Sequence, residues 1–142
     1  MEITDVLPRS EILIKQLGEG LNSGECSLEE VERQILSFLN ELGTTLEREV
    51  LAGVREPTIE NSVRVGERTA VYAEMRNLRY RTRFGSTVVL PRRCYKFRDG
   101  GGGWSPLEEK LGLDLCLGYS PLMSYLLTSF GASDAYSPGH RC

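Results

Sequence analysis

The chain has 142 residues, of which 40% are hydrophobic and 26% are charged, and its formal net charge is −3. These values are typical of one soluble globular domain. No apolar run approaches the roughly 18 residues of a membrane span, and the acidic start lacks the basic and apolar regions of a signal peptide. We therefore predict a cytoplasmic protein with no membrane partner.

The N-terminal region, residues 1–60, is predicted to be helical. Ser10 is in a position to cap a short first helix, whose apolar stripe is interrupted by glycines. Ser27 and Glu30 have the spacing of a capping box, which predicts the start of a longer helix over residues 28–52. The apolar residues of that helix recur at spacings of three and four, and they are Leu28, Val31, Ile35, Phe38, Leu39, Leu42, Leu46 and Val50.

Residues 61–99 are predicted to form a small, basic, antiparallel sheet with a hairpin at about 78–97. The side chains from Leu78 to Phe84 alternate between large or β-branched residues and arginines. This period of two is typical of a half-buried strand with its charges on the outer face. The pattern therefore predicts that the arginines at 79, 81 and 83 point away from the core.

The register of the hairpin depends on the length of its Gly-Ser turn. A two-residue loop would place Arg81 opposite Leu90. A three-residue loop would gather Phe84, Val88 and Leu90 on the buried side, and the apolar pattern favours this longer loop.

Residues 100–142 are predicted to contain a glycine connector, two short helices and a disordered tail. The run "DGGGGW" lacks the lysine and hydroxyl residues of a phosphate-binding loop, so we interpret it as flexible. Ser105 and Glu108 mark the start of one helix. A second Ser-Pro pair at 120–121 opens another helix, which is expected to end at Gly131. These elements together predict an α+β fold, with N-terminal helices, a small basic sheet and short C-terminal helices.

Charge is unevenly distributed along the chain. Residues 1–60 hold 5 basic and 13 acidic side chains, residues 61–100 hold 10 and 3, and residues 101–142 hold 2 and 4. Such segregation favours contact between the middle region and a polyanion. The alternative is that the basic sheet packs against the acidic helices of its own chain.

Duplex DNA is the polyanion that these residues predict, bound through its phosphate backbone. Tyr80, Tyr95 and Phe97 are available either for packing or for stacking on bases. The predicted DNA-binding residues are Arg79, Arg81, Arg83, Arg92, Arg93, Lys96 and Arg98.

No metal, cofactor or catalytic residue is predicted. Cys94, Cys116, His140 and Cys142 could supply four zinc ligands, but their spacing is irregular. Cys94 also lacks a histidine close in sequence, so we interpret it as a structural thiol rather than a nucleophile.

A glycine turn between basic strands, "LRYRTRFGSTVVLPRRCYKF", precedes "PLEEKLGL" and then "SPLMSYLLTSFGASDAY". This order of segments, over roughly residues 63–136, resembles the amino-terminal region of a group of bacterial insertion-sequence transposases. In those proteins a catalytic domain with three metal-binding acidic residues follows. The resemblance implies DNA binding during transposition of an insertion element.

The same resemblance implies that the chain is a truncated product without the catalytic domain, and hence not an enzyme. The catalytic acids of the family lie beyond this sequence, and Asp114 and Asp134 lack the spaced partners that two-metal chemistry requires. Many relatives have a cysteine pair just after the second strand, whereas Cys94 stands alone.

The alternative function is a helical self-association module with no nucleic-acid role. In the helix over 28–52, Ile35, Leu39, Leu42 and Leu46 are spaced by four, three and four residues. This spacing is typical of a seam between paired helices, although it equally fits an intramolecular core. A homodimer through this helix is therefore a second partner prediction.

Overall fold

A computed structural model of the chain describes residues 1–133 and confirms the predicted α+β fold class. Contacts divide it into two units, Met1–Gly53 with Phe84–Ser86, and Val54–Arg83 with the chain from Thr87 onward. The elements in chain order are α1 (Val6–Ser23), α2 (Leu28–Ala52), β1 (Ser62–Val65), β2 (Arg68–Arg81), β3 (Thr87–Phe97), β4 (Gly103–Trp104), α3 (Pro106–Leu111) and α4 (Pro121–Ser133).

Helix α1 is longer than the sequence indicates, and the prediction that Ser10 caps it is wrong. The helix begins at Val6, and the Ser10 hydroxyl donates to the Val6 carbonyl at 2.6 Å from within the helix. Pro8 lies in the first turn, where N–H groups have no carbonyl partner within the helix. The N–H that proline lacks therefore costs no hydrogen bond there. The helix ends at Gly24, whose φ of 80° is the left-handed conformation that glycine adopts easily.

Helix α2 has the predicted bounds. The Ser27 hydroxyl caps it by accepting a hydrogen bond from the Glu30 N–H at 3.2 Å. It runs antiparallel to α1, since the Arg9 guanidinium donates to both oxygens of Glu41, at 2.7 and 3.0 Å. At the opposite end of the pair, Gly20 lies against Cys26, so closely that a Cβ there would be 2.5 Å from the sulfur atom.

Four antiparallel strands form one sheet in the order β1, β2, β3, β4. Both predicted registers of the β2–β3 hairpin are wrong, because five residues, Thr82–Ser86, connect the strands. Leu78 lies opposite Leu90, and Tyr80 lies opposite Val88. Val88 and Leu90 are nevertheless on the buried side, as the pattern predicts.

The longer turn has a tertiary cause. Phe84 is not part of β2 but belongs to the first unit. Its ring lies directly on Gly43 of α2, where an added Cβ would be 2.4 Å from a ring carbon. A side chain that packs on α2 cannot also pair with Val88 in the sheet, so the strands begin to pair further from the turn.

Tyr95 is the largest fully buried side chain of the described residues, with 1% of its surface exposed. Its ring centroid lies 5.9 Å from that of Tyr72 and 5.4 Å from that of Trp104. The hydroxyl donates to the Glu60 carbonyl at 2.6 Å and accepts from the Arg93 Nε–H at 3.0 Å. Both polar functions of the phenol are therefore satisfied inside the sheet unit.

The glycine run forms a structured turn between β3 and β4, which corrects its interpretation as a connector. Gly100 and Gly102 have φ values of 79° and 97°, and Gly103 is already a residue of β4. The Asp99 carboxylate accepts from the Gly101 N–H at 2.8 Å and forms a two-bond ion pair with Arg68, also at 2.8 Å. The glycines thus close a hairpin that brings Trp104 opposite Tyr95.

Two hydrogen bonds lower the pKa of Asp99 to about 2, and the bond from Arg68 has a larger effect than the bond from the Gly101 N–H. We expect Arg68→Gln to raise this pKa toward the ordinary value of about 3.9. Because the pKa is lowered on folding, its contribution to stability is complete above about pH 4 and is lost as the pH falls through about 2. An NMR titration of the Asp99 carboxyl carbon measures the change. Arg64→Gln is the control, and equal pKa values in both variants would contradict the assigned cause.

The C-terminal helices begin as predicted. The Ser105 hydroxyl accepts from the Glu108 N–H at 3.3 Å, and the Ser120 hydroxyl accepts from the Met123 N–H at 3.2 Å. Helix α4 continues past the expected end at Gly131 to Ser133. The rest of the predicted disordered tail, which includes Asp134, His140 and Cys142, lies outside the described residues. Among residues 1–133, no helix combines the length and the apolar character needed to cross a membrane.

Candidate nucleic-acid interface

The alternation of side chains at the end of β2 is confirmed. Tyr80 and Thr82 are buried, whereas Arg79 and Arg81 are exposed. Arg83 follows in the turn and is also exposed. Alternate strand residues are about 6.6–6.8 Å apart and point to the same side of a sheet. We call Arg79, Arg81 and Arg83 the arginine row.

The residues that lie opposite Arg79 and Arg81 on the neighbouring strand are uncharged. No ion pair of the described residues involves Arg79 or Arg83. On the neighbouring strand, Val89 lies opposite Arg79 and Thr87 lies opposite Arg81, and both of these residues are exposed. The row is therefore bordered by uncharged side chains on β3.

The backbone of the arginine row is held on two sides. On one side β2 pairs with β3. On the other, the Arg81 N–H donates to the Gly118 carbonyl at 2.7 Å, and the Ser120 N–H donates to the Arg81 carbonyl at 2.8 Å. The segment between α3 and α4 thus holds the backbone of β2 at Arg81, next to the turn that contains Arg83.

Two of the predicted DNA-binding residues have internal partners instead. The Arg92 Nε–H donates to Glu108 at 2.9 Å, and the two side chains are only 15% and 20% exposed. Arg93 places its guanidinium 4.0 Å from the centre of the Tyr72 ring. Sequence reasoning missed Glu108 as a partner, because the acid is 16 positions away along the chain.

Lys96 and Arg98 are exposed, but Lys96 does not share a side of the sheet with the arginine row. By strand alternation it lies on the side of Arg92, where it lines a groove of about 760 Å³ together with Arg76 and Cys94. The structure therefore brings Arg79, Arg81 and Arg83 together, and it does not gather all seven predicted residues on one face.

The aromatic residues of the hairpin pack within the protein. Tyr80 and Tyr95 are buried. The Phe97 ring is covered by the Arg68 guanidinium, which lies 3.7 Å from the ring centre. Of the two roles left open by the sequence, the structure favours packing over base stacking, so any contact with DNA falls to the charged side chains.

The cysteine side chains show no reactive or metal-binding arrangement in the part of the chain that is described. Burial raises the pKa of the Cys94 thiol, which disfavours the nucleophilic thiolate. Across residues 1–133, no three His, Cys, Asp or Glu side chains are grouped so that they could hold a metal ion.

The charge segregation along the sequence follows the division into units. The unit that contains α1 and α2 has 4 basic and 11 acidic residues. The sheet unit, counted as far as residue 133, has 12 basic and 8 acidic residues. All three residues of the arginine row belong to the unit with the positive balance.

Comparison with known proteins does not identify the chain: no protein-family model, no curated protein and no solved structure matches it. The resemblance to insertion-sequence transposases consequently stays a prediction from the sequence.

Proposed function

We propose that the protein binds duplex DNA and that the arginine row makes the contact. The observation that carries this proposal is the exposure of three arginines on one strand end and its turn. Folding alone gives no reason to place Arg79 and Arg83 there, since neither has an acidic partner among the described residues. A guanidinium group is well suited to phosphate, because it donates two parallel hydrogen bonds in a fixed geometry.

The row supports backbone contact without sequence readout. Phosphate contacts orient a protein on a duplex but carry no base information. Tyr80 and Tyr95 are buried and the Phe97 ring is covered by Arg68, so these three rings are not free to stack on unpaired bases. We infer weak, largely non-specific binding to duplex DNA at physiological salt.

The proposal agrees with what the resemblance to transposases implies, namely DNA contact during transposition of an insertion element, in the cytoplasm. We assign DNA contact, and not strand cleavage, to the described residues. Asp114 is exposed, and it is not part of an acidic cluster within residues 1–133. Two-metal cleavage needs such a cluster.

Replacing Arg79, Arg81 and Arg83 together with glutamine should remove most of the binding. Each phosphate contact to duplex DNA contributes roughly −0.9 to the slope of log K against log salt, so three contacts give about −2.7. We expect a slope near that value for the native chain and a slope close to zero for the triple variant. Fluorescence anisotropy with a labelled duplex of arbitrary sequence, measured over a range of salt, gives both values.

The matched control is a triple glutamine variant of Arg55, Arg64 and Lys110, which are exposed residues of the same unit. It changes the net charge equally, and Arg64 lies opposite Thr69, about 30 Å along β2 from Arg79. The control should bind as the native chain does. Equal losses in both triple variants would reduce the effect to net charge, and a native chain that fails to bind at low salt would refute the proposal.

A further inference from the structure

Helix α1 carries a line of exposed apolar residues. Leu7, Ile14 and Leu21 are spaced by seven residues, and Leu7 and Ile14 are 74% and 73% exposed. Residues seven apart lie nearly above one another on a helix. Leu17 and Gly20, by contrast, are buried, and Arg9 pairs with Glu41 of α2. Helix α1 therefore has an outer apolar line in addition to its contact line.

Helix α2 carries a corresponding line. Leu28, Ile35, Leu39 and Leu46 are all exposed, and three of them belong to the seam that the sequence predicts. Leu42, the fourth member of that seam, is half-buried. The contact with α1 uses other residues of the helix, since Phe38 and Glu41 both contact Arg9. Val31 and Thr45 of α2 are buried.

The two outer lines lie on the same side of the helix pair. Successive residues of a helix are rotated by about 100° about its axis. In each helix, the outer line is displaced by about 100° from the residues that contact the other helix, in the direction of increasing residue number. Because α1 and α2 run in opposite directions, the same rotation in each helix turns both outer lines toward the same side of the helix pair. We call the combined surface of Leu7, Ile14, Leu21, Leu28, Ile35, Leu39 and Leu46 the apolar face.

The apolar face is large and nearly uncharged. It spans about 27 Å along the shorter helix and about 20 Å across the pair, on the order of 500 Å² in projection. The smallest stable interfaces bury roughly 600 Å² per partner, and accessible area exceeds projected area. Glu32 is the one ionisable residue within about 50° of either outer line in α1 and α2.

We propose that the apolar face binds a second copy of this chain, forming a four-helix dimer. A surface without a charge pattern is complementary to itself, which is the condition for a two-fold interface between identical partners. Two helical pairs that join by such faces bury a core of the kind seen in four-helix bundles. The charged groups beside the face do not favour a nucleic acid as the occupant, since Glu29, Glu32 and Arg33 border Ile35 and Leu39, and Arg33 is paired with Glu29.

The test compares two glutamate variants on one helix. Ile14→Glu changes the apolar face, whereas Ile12→Glu changes an exposed isoleucine that lies on the opposite side of the pair. We expect dimers for the native chain and for Ile12→Glu, and a roughly 100-fold weaker association for Ile14→Glu, whose change occurs twice per dimer. Sedimentation velocity at low and high protein concentration, with a reductant to prevent cysteine cross-links, measures the difference.

Several outcomes would overturn the proposal. These are a native chain that remains monomeric at high concentration, equal association of the two variants, and a larger loss for Ile12→Glu. If circular dichroism shows that Ile14→Glu does not fold, Leu7→Gln replaces it, because Leu7 is equally exposed in the first turn of α1. Association should also strengthen with salt, which screens the repulsion between two acidic helical units.

Discussion

Replacing Tyr95 with alanine is expected to lower the free energy of unfolding of the sheet unit by about 3–5 kcal/mol. The side chain is 1% exposed and lies between the rings of Tyr72 and Trp104. Truncation therefore leaves a cavity that these neighbours can only partly fill. It also removes the acceptor of the Arg93 Nε–H and the donor to the Glu60 carbonyl.

Tyr95→Phe separates the two causes. It keeps the ring contacts and removes only the hydroxyl, so we expect a loss of about 1–3 kcal/mol from two unpaired polar groups. Urea unfolding followed by fluorescence is a suitable measurement, because the single tryptophan of the chain is Trp104, 5.4 Å from the Tyr95 ring. Tyr125→Ala is the control: Tyr125 is exposed, and its loss should cost less than about 0.5 kcal/mol. A Tyr95→Ala loss as small as that of the control would contradict the assignment of Tyr95 to the core.

Replacing Glu108 with glutamine should cost about 2–3 kcal/mol, somewhat less than the loss for a fully buried ion pair. The carboxylate neutralises Arg92 at 2.9 Å in a place where both side chains are largely buried. Arg92 already has one buried nitrogen, Nη1, without a hydrogen-bond partner. Removing the charge of Glu108 leaves the guanidinium without compensation in a region of low polarity.

Glu29→Gln is the matched control for Glu108→Gln. Both glutamates lie in the first turn of a helix and pair with an arginine, but Glu29 and Arg33 are strongly exposed. Exposed pairs four residues apart contribute about 0.3–0.5 kcal/mol, so the control should be nearly neutral. Adding Arg92→Met to Glu108→Gln should recover part of the loss, because the unpaired charge is then gone. Losses of equal size at Glu29 and Glu108 would show that burial does not strengthen the pair.

The two proposed interactions of the chain respond to salt in opposite directions. Binding of the arginine row to DNA weakens with salt, because counterions compete for phosphate. Association through the apolar face strengthens with salt, because it joins two acidic units through uncharged side chains. We therefore measure DNA affinity and self-association across one salt series. Loss of the expected trend in one quantity contradicts only the proposal to which that quantity belongs.

The sequence by itself determined the features that depend on neighbours within a few residues. Ser27 caps α2 and Ser105 caps α3 through N–H groups three positions ahead, and these starts were predicted correctly. The alternation from Leu78 to Thr82 likewise follows from the pleat of a single strand. Local geometry decides such features, so the residue types and their spacing are sufficient to predict them.

Only the tertiary structure decided the hairpin register and the partners of the basic residues. Phe84 packs on Gly43, 41 positions earlier in the chain, and this contact lengthens the turn beyond either predicted loop. Arg92 pairs with Glu108, and Arg93 packs on Tyr72, which leaves the arginine row as the exposed group at the hairpin end. Contacts between residues this far apart depend on how the elements pack together, and residue spacing carries no information about that packing.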